Sequence, residues 1–348
     1  MRAFYHPEQA GHDPLQYMRF GRVVMPKDLP ERTARLLGAL DRHGIAPEEP
    51  GYAGMAPILA VHDAGYIDFL ETAWDEWQQL PEAERGPEVW PATFPYWSGR
   101  PEQPTRGPCP ASGFLGRLGW YLGDMSVPMR EASWPSIRRS AMTAIAGADA
   151  VAGGEPAAYA LCRPSGHHAR ADRGSGFCYL NNSAIAAERL RSRFARVAVL
   201  DIDVHHGDGT QQIFYHRPDV LTVSVHADPS NFYPFYTGYA GERGTGAGEG
   251  ANLNLPLAPG SGGDAMLAAI ATAAEAIKAH GTEALVLALG FDAHAADPIG
   301  ALTLQAADFE AAARAIRALG LPTLLVQEGG YAIEVIGDCL DAFLTGFR

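Results

Sequence analysis

Cysteine is scarce in this 348-residue chain: Cys109, Cys162, Cys178 and Cys339 are the four, and they form no CxxC pair and no disulfide-framework spacing. A disulfide-stapled scaffold is thereby excluded, and the expectation is reduced thiols in a cytoplasmic protein. Positive charge is also thin, with 27 Lys plus Arg against 40 Asp plus Glu and a formal net charge of -13. Phosphate backbones require clustered Lys and Arg, so nucleic acid is excluded as the primary partner, whereas a cationic substrate is compatible. No apolar run approaches a membrane span, and Met1 to Pro7 lack the apolar core of a signal peptide. No membrane partner is expected. Internal repeats and low-complexity tails are absent.

What is present is an ordinary globular composition, 47% hydrophobic and 19% charged, sufficient for a sizeable core. The reading is one catalytic domain over residues 1–348 with a loop insertion at about 90–135. That insertion holds eight prolines and four of the six tryptophans and shows no sustained periodicity. A structureless stretch of this length is more often functional than filler, here as a binding-site wall or a dimer contact. Before it, a short strand opens the chain, a helix is predicted from about Glu31 to His43, and an amphipathic segment begins near Ala60 and runs through Trp74 and Trp77. The acids of that segment, Asp68, Glu71, Asp75 and Glu76, are read as a solvated face.

From Ser136 the pattern becomes regular. Helices are predicted at 136–151, 181–193, 210–215, 263–280, 305–319 and 332–346. Between them stand apolar strands at 157–162, 195–203, 220–226, 252–256, 284–290 and 323–326. This alternation predicts an α/β fold: a doubly wound, mostly parallel sheet with helices on both faces. The nearly continuous apolar strands fit a sheet buried on both sides. Ligands of such sheets bind beyond the carboxyl ends of the strands.

Polar cargo collects at those ends. Arg163-Pro-Ser-Gly-His167-His168 follows one strand, and Asp201, Asp203, His205, His206 and Asp208 end another. Ser224 and His226 close a third. Asp292, His294 and Asp297 follow a fourth, and Glu328-Gly-Gly-Tyr331 a fifth. Strand periodicity points Asp201, Asp203 and His205 the same way, a costly arrangement unless a cation neutralises the acids. Asp203, His205 and Asp292 supply one nitrogen and two oxygen ligands, the pattern of a catalytic metal with open positions, and both zinc and Fe(II) suit it. His167 and His168 suit general acid–base work, oriented by Asp201 and Asp208. Tyr331, after two glycines, is placed to donate its hydroxyl to an oxyanion.

The ordered motifs resemble the histone deacetylase superfamily. They are Arg163-Pro-Ser-Gly-His-His-Ala169, Gly176-Phe-Cys178, Asn181-Asn182, Asp201-x-Asp-x-His-His-Gly-Asp-Gly-Thr-Gln211, Asp292-x4-Asp297-Pro298 and Glu328-Gly-Gly-Tyr331. Within that superfamily Val61-His-Asp-Ala-Gly-Tyr66, Phe69-Leu-Glu-Thr-Ala-Trp-Asp75 and the Trp/Pro-rich loop look most like bacterial acetylpolyamine amidohydrolases. The resemblance implies an arginase–deacetylase fold with zinc on Asp203, His205 and Asp292. It also implies His168 as general base and acid, His167 as its electrostatic neighbour, and Tyr331 as the carbonyl-polarising phenol. A structural potassium ion is implied at Asp201, Asp203, His205 and Ser224, and a substrate tunnel walled by Gly176, Phe177 and Tyr233. The implied reaction is deacetylation of an N-acetylated polyamine or similar small amine in a homodimeric enzyme. A protein-lysine deacetylase is the alternative, followed by a two-manganese ureohydrolase and a non-catalytic binder.

Two departures bear on substrate. Ser165 stands where the family usually has a second proline. Tyr121 stands where many histone deacetylases carry a rim aspartate, for which Asp124 is a substitute charge. His294, at the second acid of the ureohydrolase motif, is a potential competitor of Asp292 as ligand.

Overall fold

The strands in chain order are β1 (Arg2–Phe4), β2 (Tyr17–Arg19), β3 (Arg22–Val24), β4 (Pro47–Glu48), β5 (Ala157–Ala160), β6 (Val197–Asp201), β7 (Val220–Ala227), β8 (Asn252–Leu257), β9 (Ala284–Leu289) and β10 (Thr323–Gln327). This is the content of a computed structural model that describes residues 1–91 and 106–348. Eight strands form one sheet in the order β4-β1-β5-β10-β9-β6-β7-β8, and every neighbouring pair is parallel. β2 and β3 pair separately as an antiparallel hairpin. The α/β doubly wound sheet with helices on both faces is the architecture expected from the strand–helix alternation.

Period two along each strand divides the core. On one face Tyr159, Ala198, Leu200, Leu221, Val223, Leu285, Leu287 and Leu325 meet the helices Glu31–Arg42, Gly263–His280, Ala306–Arg317 and Ile336–Phe347. On the other, Ala158, Ala160, Val197, Val199, Val220, Val286, Leu324 and Val326 meet the helices Ser133–Ala152 and Asn182–Leu190. Both sets are apolar, so the strands read as continuous hydrophobic runs. The helix Ser133–Ala152 presents Ala144, Ala148 and Gly147 to the sheet, and a Cβ on Gly147 would press into Leu324. Small residues let this helix lie close on the strands beneath it.

The structure departs from the sequence reading at element ends. β6 stops at Asp201 rather than Asp203. Past it the chain turns: the Asp203 amide donates to the Asp201 carboxylate and the Val204 amide to Asp292. Side-chain alternation therefore does not set the direction of Asp203 and His205. The last helix starts at Ile336, not 332: a turn precedes it, in which the Ala332 carbonyl accepts from the Val335 and Ile336 amides, while the Tyr331 and Ala332 amides donate to Asp297. The hairpin β2–β3 and the two-residue β4 are too short to carry a periodic signal.

Of the insertion at 90–135, residues 92–105 lie outside the described residues. The remainder holds a helix, Phe114–Tyr121, and a bridge between Val89 and Met129. Tyr66, Phe69 and Leu70 of the helix Ala64–Gln78 pack with Leu118, Tyr121, Met129, Ile137 and Tyr179 into a third apolar cluster. The acids of this helix are partly engaged: Asp68 and Glu76 both pair with Arg117, at 2.7 and 2.8 Å.

Buried histidines tie these layers. His12 Nδ1 lies 3.0 Å from Ser133 Oγ, and His62 Nε2 accepts from the Asn181 amide at 2.9 Å. Burial lowers their pKa values to about 3 and about 4. An unfolded-chain histidine titrates near ~6.5, so between that value and the folded values the unfolded state binds protons that the native state refuses. Their stabilising contribution is thus complete above that pH and is lost as pH falls. Unfolding free energy measured in urea at pH 7, 6 and 5, taken relative to a His12→Gln, His62→Gln variant, is expected to drop by roughly 1.4 kcal/mol per pH unit per histidine once below the unfolded value. A flat profile would mean that these rings are protonated in the native protein.

Candidate active site

β5, β10, β9, β6 and β7 are consecutive in the sheet, and all five end at the same edge. The loops that follow them bring together His167 and His168, Glu328 and Tyr331, Asp292, and the 201–208 segment. Asp201 and Ser224 are direct register partners across β6 and β7.

At the centre lie Asp203, His205 and Asp292, all buried, with one potential ligand atom from each within 4.8 Å of the others. His205 Nδ1 stands 3.2 Å from Asp203 Oδ1 and 3.1 Å from Asp292 Oδ2. Burial and the neighbouring Asp203 charge push the Asp292 carboxyl up, while the His167 and His205 charges hold Asp203 low despite burial. Two buried carboxylates converging on one imidazole nitrogen fit a divalent cation with mixed oxygen and nitrogen ligands. Gly329 is required here: a Cβ would collide with both the Asp203 and Asp292 carboxylates, and its amide donates to Asp203 Oδ2 at 2.8 Å. Among the described residues His294 joins no such group, and its Nδ1 accepts from the Ala296 amide instead. His294 thus stands outside the group that Asp292 joins.

The tandem histidines lie with ring centroids 4.0 Å apart and planes tilted by 42°, yet each has its own carboxylate. His167 Nδ1 meets Asp201 Oδ2 at 2.9 Å and His168 Nδ1 meets Asp208 Oδ1 at 2.8 Å. An ionised carboxylate can only accept, so each Nδ1 carries the proton and each Nε2 is left for the pocket. Their surroundings push them apart. Burial works against the charge on His167, but Asp203 and Asp201 raise it overall; burial and the His167 charge lower His168 to about 4.

Tyr331 is buried, and burial drives its phenol well above the ordinary value. Its loop is held from three sides. Asp297 Oδ2 accepts from the Tyr331 amide at 2.7 Å. Arg32 donates to the Glu328 and Gly330 carbonyls at 2.7 and 2.5 Å and lies over the Tyr331 ring, 4.8 Å from its centroid. The Glu328 side chain accepts from the Gly166 and His167 amides and from Ser183 Oγ, joining the Tyr331 loop to the histidine loop. A long spacing in sequence hid Arg32; an Asp–Pro turn and a Glu–Gly–Gly run were the signals for the others.

The expected tunnel residues border this group. Tyr233 stands edge-on to His168, centroids 4.9 Å apart, and Phe177 edge-on to Tyr331 at 5.9 Å. Phe232, absent from the expectation, stacks on His205 at 4.8 Å. Gly176 and Phe177 both have positive φ, 55° and 65°, and a Cβ on Gly176 would strike the His168 ring. Asp124 Oδ2 accepts from the Tyr233 hydroxyl at 2.7 Å and the Gly176 amide at 3.1 Å, so it braces both walls. Tyr121 is buried against Tyr66 and Phe69.

Two outcomes follow. Asp292→Ala is expected to reduce divalent-metal retention after equilibrium dialysis to background, since one of three converging donors is gone. Asp28 pairs with Arg32 and with Arg163, all three buried. Burial pushes the Asp28 carboxyl upward, but the Arg163 and Arg32 charges outweigh it and hold it low. A carboxylate so held stabilises the fold above its ordinary value and ceases to as pH falls. Asp28→Asn should therefore cost about 3–5 kcal/mol at neutral pH. The gap from wild type should narrow in acid, as read by denaturant unfolding.

Residues 27–347 match the histone deacetylase domain family. The chain is 46% identical over 347 residues to the acetylpolyamine amidohydrolase of Burkholderia pseudomallei, covering 100% of this chain and 98% of that one. It is 43% identical to acetylpolyamine amidohydrolase 1 of Pseudomonas aeruginosa, covering 94% and 93%. The crystal structure of an acetylpolyamine aminohydrolase from Burkholderia pseudomallei superposes with a TM-score of 0.94, covering 100% of this chain and 98% of that one at 46% identity.

Proposed function

The chain belongs to the histone deacetylase domain family, and from that premise we propose that it is a zinc-dependent amidohydrolase releasing acetate from N-acetylated polyamines or similar small acetylated amines. The observation that carries this reading is the meeting, at one sheet edge, of the Asp203–His205–Asp292 group, two histidine–carboxylate pairs and Tyr331. A cytoplasmic homodimer with potassium bound near Asp201, Asp203, His205 and Ser224 completes the proposal. Net charge of -13 supports a cationic substrate.

Asp203, His205 and Asp292 would hold the zinc ion, which when bound supplies Lewis-acid polarisation of the amide carbonyl and a more acidic water. His168 Nε2 takes the proton of the attacking water as oxygen adds to the acetyl carbon. The Tyr331 hydroxyl, kept protonated by its raised pKa, donates to the oxygen that becomes negative. Collapse of the tetrahedral carbon breaks the C–N bond, and the histidine pair returns a proton to the amine nitrogen. Acetate and a primary amine result. Phe177 and Tyr233 offer flat apolar faces to a methylene chain.

The test is a panel of acetylputrescine, acetylspermidine and acetyl-lysine peptides assayed on zinc-loaded enzyme. Faster turnover of the small amines is expected, and faster turnover of the peptides would replace this reading with a protein-lysine deacetylase. Tyr331→Phe should lower kcat by about 10²–10³ with little change in KM, because its hydrogen bond strengthens only as charge develops. Two manganese ions per chain by metal analysis would point to a ureohydrolase instead.

A further inference from the structure

The two histidine–carboxylate pairs are not equivalent, and the difference lies in what holds each carboxylate. Asp201 gives Oδ2 to His167 and Oδ1 to the neutral amide of Asp203, at 2.9 and 3.0 Å. Asp208 gives Oδ1 to His168 and Oδ2 to a cation: Arg170 Nε and Nη2 donate to that one oxygen at 3.1 and 2.8 Å. A two-nitrogen fork on a single oxygen fixes the rotation of the carboxylate and leaves its other oxygen for the imidazole.

We propose that Arg170 is a positioning residue for deacetylation, clamping Asp208 so that the His168 ring keeps its plane and its Nε2 stays placed to take the proton of the attacking water. This rests on the proposed amidohydrolase reading.

The clamp is local and rigid. Arg170 follows His168 by two residues, its amide donates to the Arg173 carbonyl at 2.9 Å, and its side chain is 13% exposed. Asp208 is itself the first residue of the short helix Asp208–Phe214, and the Gly209 amide returns to the His167 carbonyl at 3.0 Å. The cation also holds the Asp208 carboxyl low against burial, keeping it a pure acceptor for the His168 Nδ1–H. A carboxylate gripped this way orients its histidine without taking the proton, whereas one free to rotate lets the ring swing. Outer partners of this kind typically contribute about 10–100-fold to activity.

The experiment compares zinc-loaded wild type, Arg170→Met and Arg170→Lys, each labelled with 15N-histidine. Expected for Arg170→Met is a kcat lower by about 10-fold or more with KM nearly unchanged, and loss or broadening of the hydrogen-bonded His168 Nδ1–H resonance. Arg170→Lys should recover part of both, which a purely structural defect would not show. A sharp wild-type resonance in Arg170→Met overturns the proposal whatever the rate, as does a wild-type kcat. If wild type itself turns over none of the acetylated amines, the functional reading fails. The His168 resonance then still decides whether Arg170 holds the pair.

Discussion

Burying negative charge at the edge of a sheet is the constraint on which the rest depends. Asp201, Asp203, Asp208, Asp292 and Glu328 are at most 3% exposed and crowd the ends of neighbouring strands. An unsatisfied carboxylate oxygen there would cost several kcal/mol. The chain meets that demand with its own amides: Asp203 N to Asp201, His205 N and Gly329 N to Asp203, Val204 N to Asp292, Gly166 N to Glu328. The loops after β5, β6, β9 and β10 are therefore joined through acid-to-amide bonds. Site geometry and loop conformation are one structure, and neither can shift without exposing a charge to an apolar wall.

Two cationic anchors complement the amides. Arg32 reaches from the opening helix to the Glu328 and Gly330 carbonyls, and Arg163 sits with it on Asp28. The N-terminal segment is thereby part of the wall behind Tyr331, although it contributes just the three-residue β1 and the two-residue β4 to the sheet. Arg170 does comparable work on the far side through Asp208.

The architecture was legible because strands buried on both faces are apolar throughout and helices announce themselves by period 3.6, so β5 to β10 and their order of helices could be read directly. The grouping of Asp203, His205 and Asp292 was legible from residue type and position after strands. The reason first given for it, alternation along a strand running to Asp203, was not the operative one, since β6 ends at Asp201 and hydrogen bonds to neighbouring acids set the direction thereafter. Arg32 could not be read, nor could the partners of Asp124 and Asp297, because those contacts lie tens to hundreds of residues away. Asp124 had been considered as a rim charge; it spends its carboxylate on Tyr233 and Gly176.

Ser175 and Cys178 exchange both backbone hydrogen bonds, at 3.0 and 2.8 Å, around Gly176 and Phe177, which both adopt positive φ. That is the signature of a primed two-residue turn, and a left-handed phenylalanine is uphill by roughly 1–2 kcal/mol. The energy is spent during folding, so the aromatic wall is already in place when a ligand arrives. Under the proposed reading, a chain passing Phe177 would surrender its own conformational freedom but ask little of the protein.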